Sequence, residues 1–378
     1  MLNSKKNFSF ITIFPFYLPL AFIALIWIAA IWGSWVLFLI ILTSWIIFSS
    51  FGTCLLLDLE NANLEPEYNS LVWYQLLVLS WGPLIFTTLF GLIWYCQHSN
   101  LSGLEKFGLF FSVGTITGTI NIYYARELMR QSEHKKQALA DILLSMFLYS
   151  HFRSEHLLIN NKFIGTPHYA ATARYNESFY RFLKRILKGR WLSGFQAEKA
   201  KLVKRKLPWY DRKNPYYLYG GLQIGMILLA SLLGGWGGLG FFLWQAIFAI
   251  TSLEIINYMR HYGLTRKYLG KCKYESVQPH HSWNLVHKRR KWLSNSIKHP
   301  LYHNHKPKRL FPLVKSHLPA SVPKNQLDYA IMPTIALFPT LWRKIMNPQV
   351  HIWRNMYYPE IQDWRKCNEA SNPAPRIA

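Results

Sequence analysis

Acidic side chains are scarce in this chain. Of 378 residues, 18 are Asp or Glu against 43 Lys or Arg, and only 16% of the total carry a charge. Typical soluble domains carry about 25%. The basic residues are therefore crowded into some stretches and missing from others. That pattern excludes a disordered chain and argues against a soluble nucleic-acid binder, despite a net charge of +25. Cysteine is also sparse. Cys54, Cys96, Cys272 and Cys367 show no CxxC spacing, so neither a rubredoxin-type iron site nor a zinc ribbon is built in. No internal repeat is long enough to suggest the inverted halves of a transporter.

What is present is apolar and aromatic. From Phe8 to Phe51 there is no charged side chain, and Ile, Leu, Phe and Trp dominate. About 20 apolar residues span a bilayer, so this stretch holds two spans, broken near Gly33-Ser34. A signal peptide is a poor reading of the first, because its apolar core would run only about 7–15 residues. The pattern predicts spans near 8–31, 35–51, 71–95, 107–124, 219–235 and 237–258, the last two joined by the turn Gly234-Gly235-Trp236-Gly237-Gly238. Trp and Tyr crowd the span ends, as an interfacial aromatic belt requires. The expected fold is an all-α integral membrane protein of six transmembrane helices. Residues 1–258 form the bundle with a cytoplasmic insertion at 125–215, and 259–378 form a cytoplasmic cap and tail rich in His, Lys and Arg.

Charge sets the orientation. Lys5 and Lys6 precede the first span, 19 Lys or Arg lie between Arg126 and Lys213, and 21 lie from Arg260 onward. Excess positive charge marks the cytoplasmic face, which places both termini in the cytoplasm; for a bacterial chain the expected location is the inner (cytoplasmic) membrane. Within the insertion, Ala138–Phe152 is apolar but too short to span, so it reads as a helix under the bundle or in the interface. Phe182–Pro208 has helical spacing with many Lys and Arg, and reads as a solvated helix facing anionic headgroups. Tyr329–Trp342 reads as a last apolar helix broken by Pro333 and Pro339.

Histidine is the residue type with chemistry to offer. Imidazole binds iron well, and two His at i, i+4 on a helix can grip one metal. Several phrases near the span ends resemble the membrane alkane 1-monooxygenases, including xylene monooxygenase and, more distantly, the fatty-acid desaturases. Asn257-Tyr258-Met259-Arg260-His261-Tyr262-Gly263-Leu264 is similar to that family's NYxEHYGL. Gly165-Thr166-Pro167 with Ala171-Thr172-Ala173-Arg174-Tyr175-Asn176-Glu177-Ser178 is similar to its TPEDPATARxGES. Ser282-Trp283-Asn284, Tyr149-Ser150-His151-Phe152 and Leu341-Trp342-Arg343-Lys344-Ile345-Met346-Asn347-Pro348 also match in order. The resemblance runs from about Asp58 to Val350. It implies terminal hydroxylation of alkanes or alkyl chains with O2, by two non-haem irons held on nine His, with electrons from rubredoxin or ferredoxin.

Carried over residue by residue, most of those ligands are gone. Where the family has HExxH, this chain reads Arg126-Glu127-Leu128-Met129-Arg130. Where it has EHxxGHH, the chain reads Glu155-His156-Leu157-Leu158-Ile159-Asn160-Asn161. In the NYxEHYGL-like phrase His261 survives, but Arg260 replaces the Glu. A gapless count from Ser282 sets Pro300, His303 and Asn304 on the last ligand positions. The retained metal positions are thus His156, His261 and His303, enough for one Fe at most. Guanidinium has no lone pair to give a metal. His134, His151, His168, His299 and His305 flank the lost motifs. The expectation is an alkane 1-monooxygenase-like membrane protein with lost or altered di-iron catalysis, a pseudoenzyme candidate. The alternative is an active non-haem iron hydroxylase or desaturase-like oxygenase with rearranged His ligands. Expected partners are the lipid bilayer and a hydrocarbon or acyl chain, with rubredoxin or ferredoxin only if the enzyme is active, and no nucleic acid. Arg126, Arg130 and Arg260 are expected to pair with Glu127 and Glu155.

Overall fold

The computed structural model of the protein describes residues 10–49, 68–270, 273–283 and 331–364. The chain is almost entirely helical. Its helices are α1 (Phe10–Trp32), α2 (Ser34–Ser49), α3 (Tyr68–His98), α4 (Gly103–Ile116), α5 (Ile122–Met129), α6 (His134–Ser145), α7 (Phe152–Glu155), α8 (Asn161–Phe163), α9 (Phe179–Lys204) and α10 (Pro215–His261), then α11 (Met332–Ala336) and α12 (Pro339–Tyr357). Short strands β1 (Tyr268–Gly270) and β2 (Lys273–Tyr274) pair antiparallel between α10 and α11. Among the described residues, two helices are long and apolar enough to cross a membrane, Gln75–His98 and Pro215–His261, and Pro19–Trp32 is a shorter apolar one.

Local chemistry sets the helix starts. Ser102 accepts from Glu105 N at 3.3 Å while Glu105 Oε2 accepts from Ser102 N at 2.7 Å, a reciprocal cap that opens α4. Asn214 caps α10 ahead of Pro215, whose missing N–H is no loss in a first turn. Inside α10 the helix breaks at Gly235, with φ 54° and ψ −148°. A Cβ on Gly238 would lie 2.6 Å from the carbonyl oxygen of Ala230. Residues eight apart in a straight helix are separated by about 12 Å, so the chain doubles back there, at the glycine-rich turn expected from the sequence.

Small residues bring the central helices together. A Cβ on Gly114 would meet the Gln245 carbonyl oxygen at 2.5 Å, and one on Gly118 would meet that of Ala249 at 2.1 Å. Gly114 and Gly118, four apart, form a small-xxx-small face that lets the two backbones touch. Between α4 and α5 the helix widens into a π-turn at Thr117–Asn121, and a second π-turn, His156–Asn160, follows α7. Such turns add a residue and re-aim the side chains beyond them.

Three sequence expectations need correction. The segment 182–208 is not simply solvated: Phe182, Ile186, Arg190, Gly194, Ala197 and Glu198 are buried along one face of α9. The apolar stretch from 138 ends as helix at Ser145, because Leu148 takes φ 58° and turns the chain. It packs inside, where Asn121 Nδ2 donates to Leu143 O at 3.0 Å and Gln245 Nε2 donates to Met146 O at 2.6 Å. Pro333 and Pro339 open α11 and α12 instead of breaking a helix, since a first turn has no use for their N–H groups.

One apolar core fills the space among α1, α3, α4, α5, α6 and α10, and a second lies between α9, the end of α10 and α12. Except for the phrase at 149–152, whose Tyr149 and Phe152 belong to the first core, the phrases that carried the resemblance meet in this second core. Tyr258 Oη donates to Glu177 O at 2.7 Å, Tyr262 Oη donates to Asn347 Oδ1 at 2.8 Å, and Trp283 Nε1 donates to Tyr262 O at 2.8 Å. Trp342 is fully buried against Tyr258 and Tyr262. Packing, rather than chemistry, accounts for these residues.

Candidate functional site

The ends of α5, α7 and α10 converge with the second π-turn and the middle of α9. Arg126, Glu127 and Arg130 come from α5, Glu155 from α7, and His156 and Asn160 from the π-turn. Glu254, Asn257, Arg260 and His261 come from the last turns of α10. His303 lies outside the described residues. Residues 126–130, 155–161 and 260–261, the first three motif positions of the resemblance, are thus brought to one place.

At its heart two former ligand positions bind each other. Arg130 Nη2 donates to His156 Nε2 at 3.0 Å. The other ring nitrogen, Nδ1, lies 3.2 Å from the side-chain amide of Asn160, which in turn lies 2.9 Å from Tyr169 Oη. Tyr169 has one proton and gives it to Glu155 Oε1. The structure sets Asn160 Nδ2 toward His156 Nδ1 and Oδ1 toward Tyr169 Oη. Because Arg130 claims the His156 Nε2 lone pair and Tyr169 gives its proton to Glu155, counting donors turns this amide over, so that His156 Nδ1–H donates to the Asn160 oxygen and the Asn160 NH2 to Tyr169 Oη. The result is a one-way chain of hydrogen bonds from Arg130 through His156, Asn160 and Tyr169 to Glu155. Burial, reinforced by Arg130, Arg126, Arg190 and Arg260, holds the His156 imidazole well below its ordinary pKa, so it is neutral and able to accept.

Arg190 closes the network. Its Nη1 lies 3.1 Å from Glu254 Oε1, and its Nε lies 3.7 Å from Glu155 Oε2, all three groups being buried. Glu254 also accepts from Tyr149 Oη at 2.8 Å and from Asn257 Nδ2 at 3.1 Å. The Phe152 ring is flanked by two guanidiniums, Arg126 at 5.1 Å and Arg190 at 4.9 Å from its centroid, while the His156 ring stacks beside it at 5.1 Å. Burial pushes the Glu155 carboxyl above the ordinary carboxylate range, and the attraction of Arg190 only partly offsets this. Pairing at Glu155 is therefore not as the sequence suggested. Glu155 takes Arg190, from a helix read as solvated, instead of an arginine at a ligand position. Glu127 is buried within electrostatic reach of Arg130.

His261 keeps an orientation a ligand would have. Its Nδ1–H donates to His281 O at 3.3 Å, which leaves the lone pair on Nε2. His156 does not, because its Nε2 lone pair is already used by Arg130. A second polar cluster adjoins His261. His281 Nε2 lies 2.8 Å from Tyr358 Oη and 3.1 Å from Glu275 Oε1, and His280 Nε2 lies 3.1 Å from the same hydroxyl. Of the flanking histidines, His151 is buried five residues before His156, and His134 opens α6 on the exposed side. Among the described residues, no three His, Cys, Asp or Glu side chains are grouped to hold a metal ion.

Among the described residues, those at the ligand positions do not fit two irons. A metal between α5 and α7 would face guanidiniums at two positions where imidazoles are needed. At 4 Å and an effective dielectric of 20, each pair of unit like charges costs about 4 kcal/mol. It would also have to displace Arg130 from the only nitrogen His156 could offer it.

The profile of the fatty acid desaturase family matches residues 106–305. The chain belongs to that family. Within it, the chain is 32% identical to alkane 1-monooxygenase 2 of Pseudomonas aeruginosa over 292 residues, covering 77% of each protein. It is 28% identical to the alkane 1-monooxygenase of Ectopseudomonas oleovorans over 340 residues, 86% of this chain and 81% of the relative. The hydroxylase component of the xylene/toluene monooxygenase of Pseudomonas putida is 25% identical over 236 residues, 60% of each. These relatives set the chain in an alkane hydroxylase-like branch of a membrane-associated family.

Arg190, Tyr169 and Glu254 were not singled out from the sequence, and Tyr149 appeared there only within a matching phrase. Two of them had a signal. Arg190 is the one charge on the stripe Phe182, Ile186, Arg190, Gly194, and Glu254 is the lone acid between Pro215 and Tyr258. A charge on an apolar stripe, or inside an apolar helix, marks a buried partner.

Proposed function

We propose that this protein is an alkane monooxygenase-like membrane protein in which an arginine–carboxylate lock has replaced the di-iron centre. The observation that carries the reading is the 3.0 Å contact of Arg130 with His156 Nε2. A guanidinium at a ligand position occupies the lone pair of a retained ligand. The same helices that meet around a cation pair in the resemblance are here held by Arg190 between Glu155 and Glu254. Buried charge of this kind leans on its partners: Tyr149 and Asn257 donate to Glu254 and Tyr169 donates to Glu155, while Arg190 meets both carboxylates as an ion pair. The reading extends to six spans near 8–31, 35–51, 71–95, 107–124, 219–235 and 237–258, in the inner membrane with both termini cytoplasmic. The retained role is to bind a hydrocarbon or acyl chain in the apolar bundle, without rubredoxin or ferredoxin.

The test is metal analysis of the purified full chain, with and without added Fe(II), alongside octane turnover with a supplied electron donor. The expected result is far less than one iron per chain and no octan-1-ol. About two irons per chain together with hydroxylated product would establish the active, rearranged oxygenase instead.

A further inference from the structure

The second half of α9, the loop after it and the first turns of α10 enclose a pocket of about 320 Å³, of the size that takes small ligands. Trp191 and Phe195 from α9, Trp209 from the loop, and Tyr216, Tyr217 and Tyr219 from α10 wall it with rings. Phe195 lies 5.9 Å from Trp191, 6.0 Å from Trp209 and 5.2 Å from Tyr216, centroid to centroid. The wall is open to the outside, since Trp191, Trp209 and Tyr217 are each about half exposed. From the lining residue Gly220 the pocket continues along a bare flank of α10. Gly220, Gly221 and Gly225 have nothing within 4 Å of a Cβ position, and Ile224 and Leu228, one and two turns beyond Gly220, are exposed. Because α10 is apolar enough to cross a membrane, this shallow groove follows a bilayer-facing side of it.

The polar groups of the lining divide into spent and available. Tyr216 Oη donates to Trp191 O at 3.0 Å, Tyr217 Oη donates to Tyr210 O at 3.2 Å, and Tyr219 Oη shares a bond of 2.9 Å with Ser154 Oγ. Asn214 donates to Trp209 O at 2.8 Å and accepts from Tyr216 N at 3.1 Å. His151 Nε2 is buried out of a ligand's reach. The indole N–H groups of Trp191 and Trp209, the amide of half-buried Gln223 and His151 Nδ1 have no hydrogen-bond partner among the described residues. Two indole N–H groups and an amide NH2 are donors, the amide oxygen is an acceptor, and the imidazole nitrogen takes either role with its tautomer. The available groups are therefore mostly donors. Outside the rings the rim is cationic. Lys188 stands three residues before Trp191 and Lys199 four after Phe195, so both continue the ring stripe of α9, and Arg212 and Lys213 lie in the loop between the lining residues Trp209 and Asn214. All four side chains are exposed and have no hydrogen-bond or ion-pair partner among the described residues. The acids beside them are Asp211, whose Oδ1 accepts from Lys213 N at 2.8 Å, and buried Glu198, which pairs with Lys201 at 3.2 Å.

We infer that this site holds one anionic phospholipid, with an acyl chain along the rings and the glycine flank of α10, an ester carbonyl on the donors of the lining, and the phosphate on the cationic rim. The inference rests on the membrane setting proposed above and not on the metal question, since none of these residues is at a ligand position. Three features select the ligand. The rings and the groove call for an apolar chain. The donors inside the pocket call for a neutral acceptor, because no Asp, Glu, Lys or Arg lines it and a charge placed there would go unpaired. The exposed cations call for an anion at a second level, outside the rings. A fatty acid or an alkanol has one polar group and serves a single level, whereas a diacyl phospholipid carries esters and phosphate in that order. A basic cluster beside the start of a membrane helix, together with interfacial Trp and Tyr, is also the setting in which anionic headgroups bind.

The experiment uses the full chain in phosphatidylcholine nanodiscs doped with phosphatidylglycerol that carries a diazirine on its acyl chain, with labelled peptides mapped by mass spectrometry. Phosphatidylcholine with the same diazirine chain is the reference. A chain that does not enter nanodiscs would overturn the membrane setting and this site with it, while the headgroup comparison inside nanodiscs bears on the site alone. The segments containing Trp191 and 209–228 are expected to take about fivefold more label from phosphatidylglycerol than from the reference, the worth of one cation at an anionic surface. The apolar helix Gln75–His98 should take both equally. Arg212→Gln with Lys213→Gln should bring the ratio at the pocket close to one. Lys135→Gln with Lys344→Gln removes the same charge from exposed positions on α6 and α12 and should leave it unchanged. Gly220→Phe places a ring in the lining where a Cβ meets nothing within 4 Å, so this variant should fold and lose the label of both lipids there. Equal labelling of the pocket by the two lipids would overturn the inference. So would the same loss of preference in the Lys135 and Lys344 variant, or displacement of the label by dodecanoate at a lower mole fraction than by unlabelled phosphatidylglycerol.

Discussion

Replacing Arg190 by methionine keeps most of the volume of the side chain and removes its charge. The two carboxylates it bridges, Glu155 and Glu254, are fully buried, at 0% exposure each. Without Arg190, Glu155 keeps only Arg126 among the cations that favour its ionised form, against the opposing charge of Glu254. The cheapest escape is protonation. Neutralising one carboxyl of ordinary pKa near 4.3 at pH 7 costs about 3.7 kcal/mol, at 1.36 kcal/mol per unit. That agrees with the roughly 3–5 kcal/mol found when one partner of a buried pair is removed. A loss of about 4 kcal/mol follows at pH 7. The pH dependence has a definite sign. Burial raises the Glu155 value in the native state, and without Arg190 it rises further. A carboxyl raised in the folded state stabilises fully below its unfolded value, and that contribution is lost as pH rises through the folded value. The variant should therefore recover toward pH 5 and worsen toward pH 8, by about 1.4 kcal/mol per unit while Glu155 holds its proton. Urea unfolding in detergent, followed by tryptophan fluorescence from pH 5 to 8, reads this directly. Arg190→Met unfolding at the parental midpoint at pH 7, or with the same deficit at pH 5 and pH 8, would refute the reasoning.

Two further perturbations probe the packing around this network. Gly118→Ala puts a methyl where the Ala249 carbonyl oxygen would be 2.1 Å away. It should separate α4 from α10 and lower the unfolding midpoint by at least the roughly 1–3 kcal/mol of an overpacked core, whereas Gly240→Ala, with nothing within 4 Å, should be tolerated. Tyr358→Phe removes the hydroxyl that joins His280, His281 and Glu275. Burial works against the Glu275 carboxylate, but bonds from His281, Tyr358 and the Lys267 amide outweigh it and hold its value below the ordinary range. That stability is present above the ordinary carboxylate value and is lost as pH falls through the lowered one. The variant should lose about 1–3 kcal/mol at pH 7 and show a shallower acid destabilisation than the parent in melting curves.

Sequence alone determined the apolar helices, the glycine-rich reversal at 234–238 and the exchange of imidazole for guanidinium at Arg126 and Arg130, because each is written in local residue type. Hydrophobic runs need no distant partner to be recognised, and a side chain's lone pairs are a property of its chemistry. Tertiary structure decided which acid meets which base. Arg190 is separated from Glu155 by 35 residues and from Glu254 by 64, and only the folding of α9 onto the ends of α7 and α10 makes them a pair. The same holds for the chain from Arg130 to Glu155, which depends on a π-turn that re-aims His156 and Asn160. Charge pairing acts over a few ångströms in space and leaves no period along the chain, so it becomes legible when the helices have been brought together.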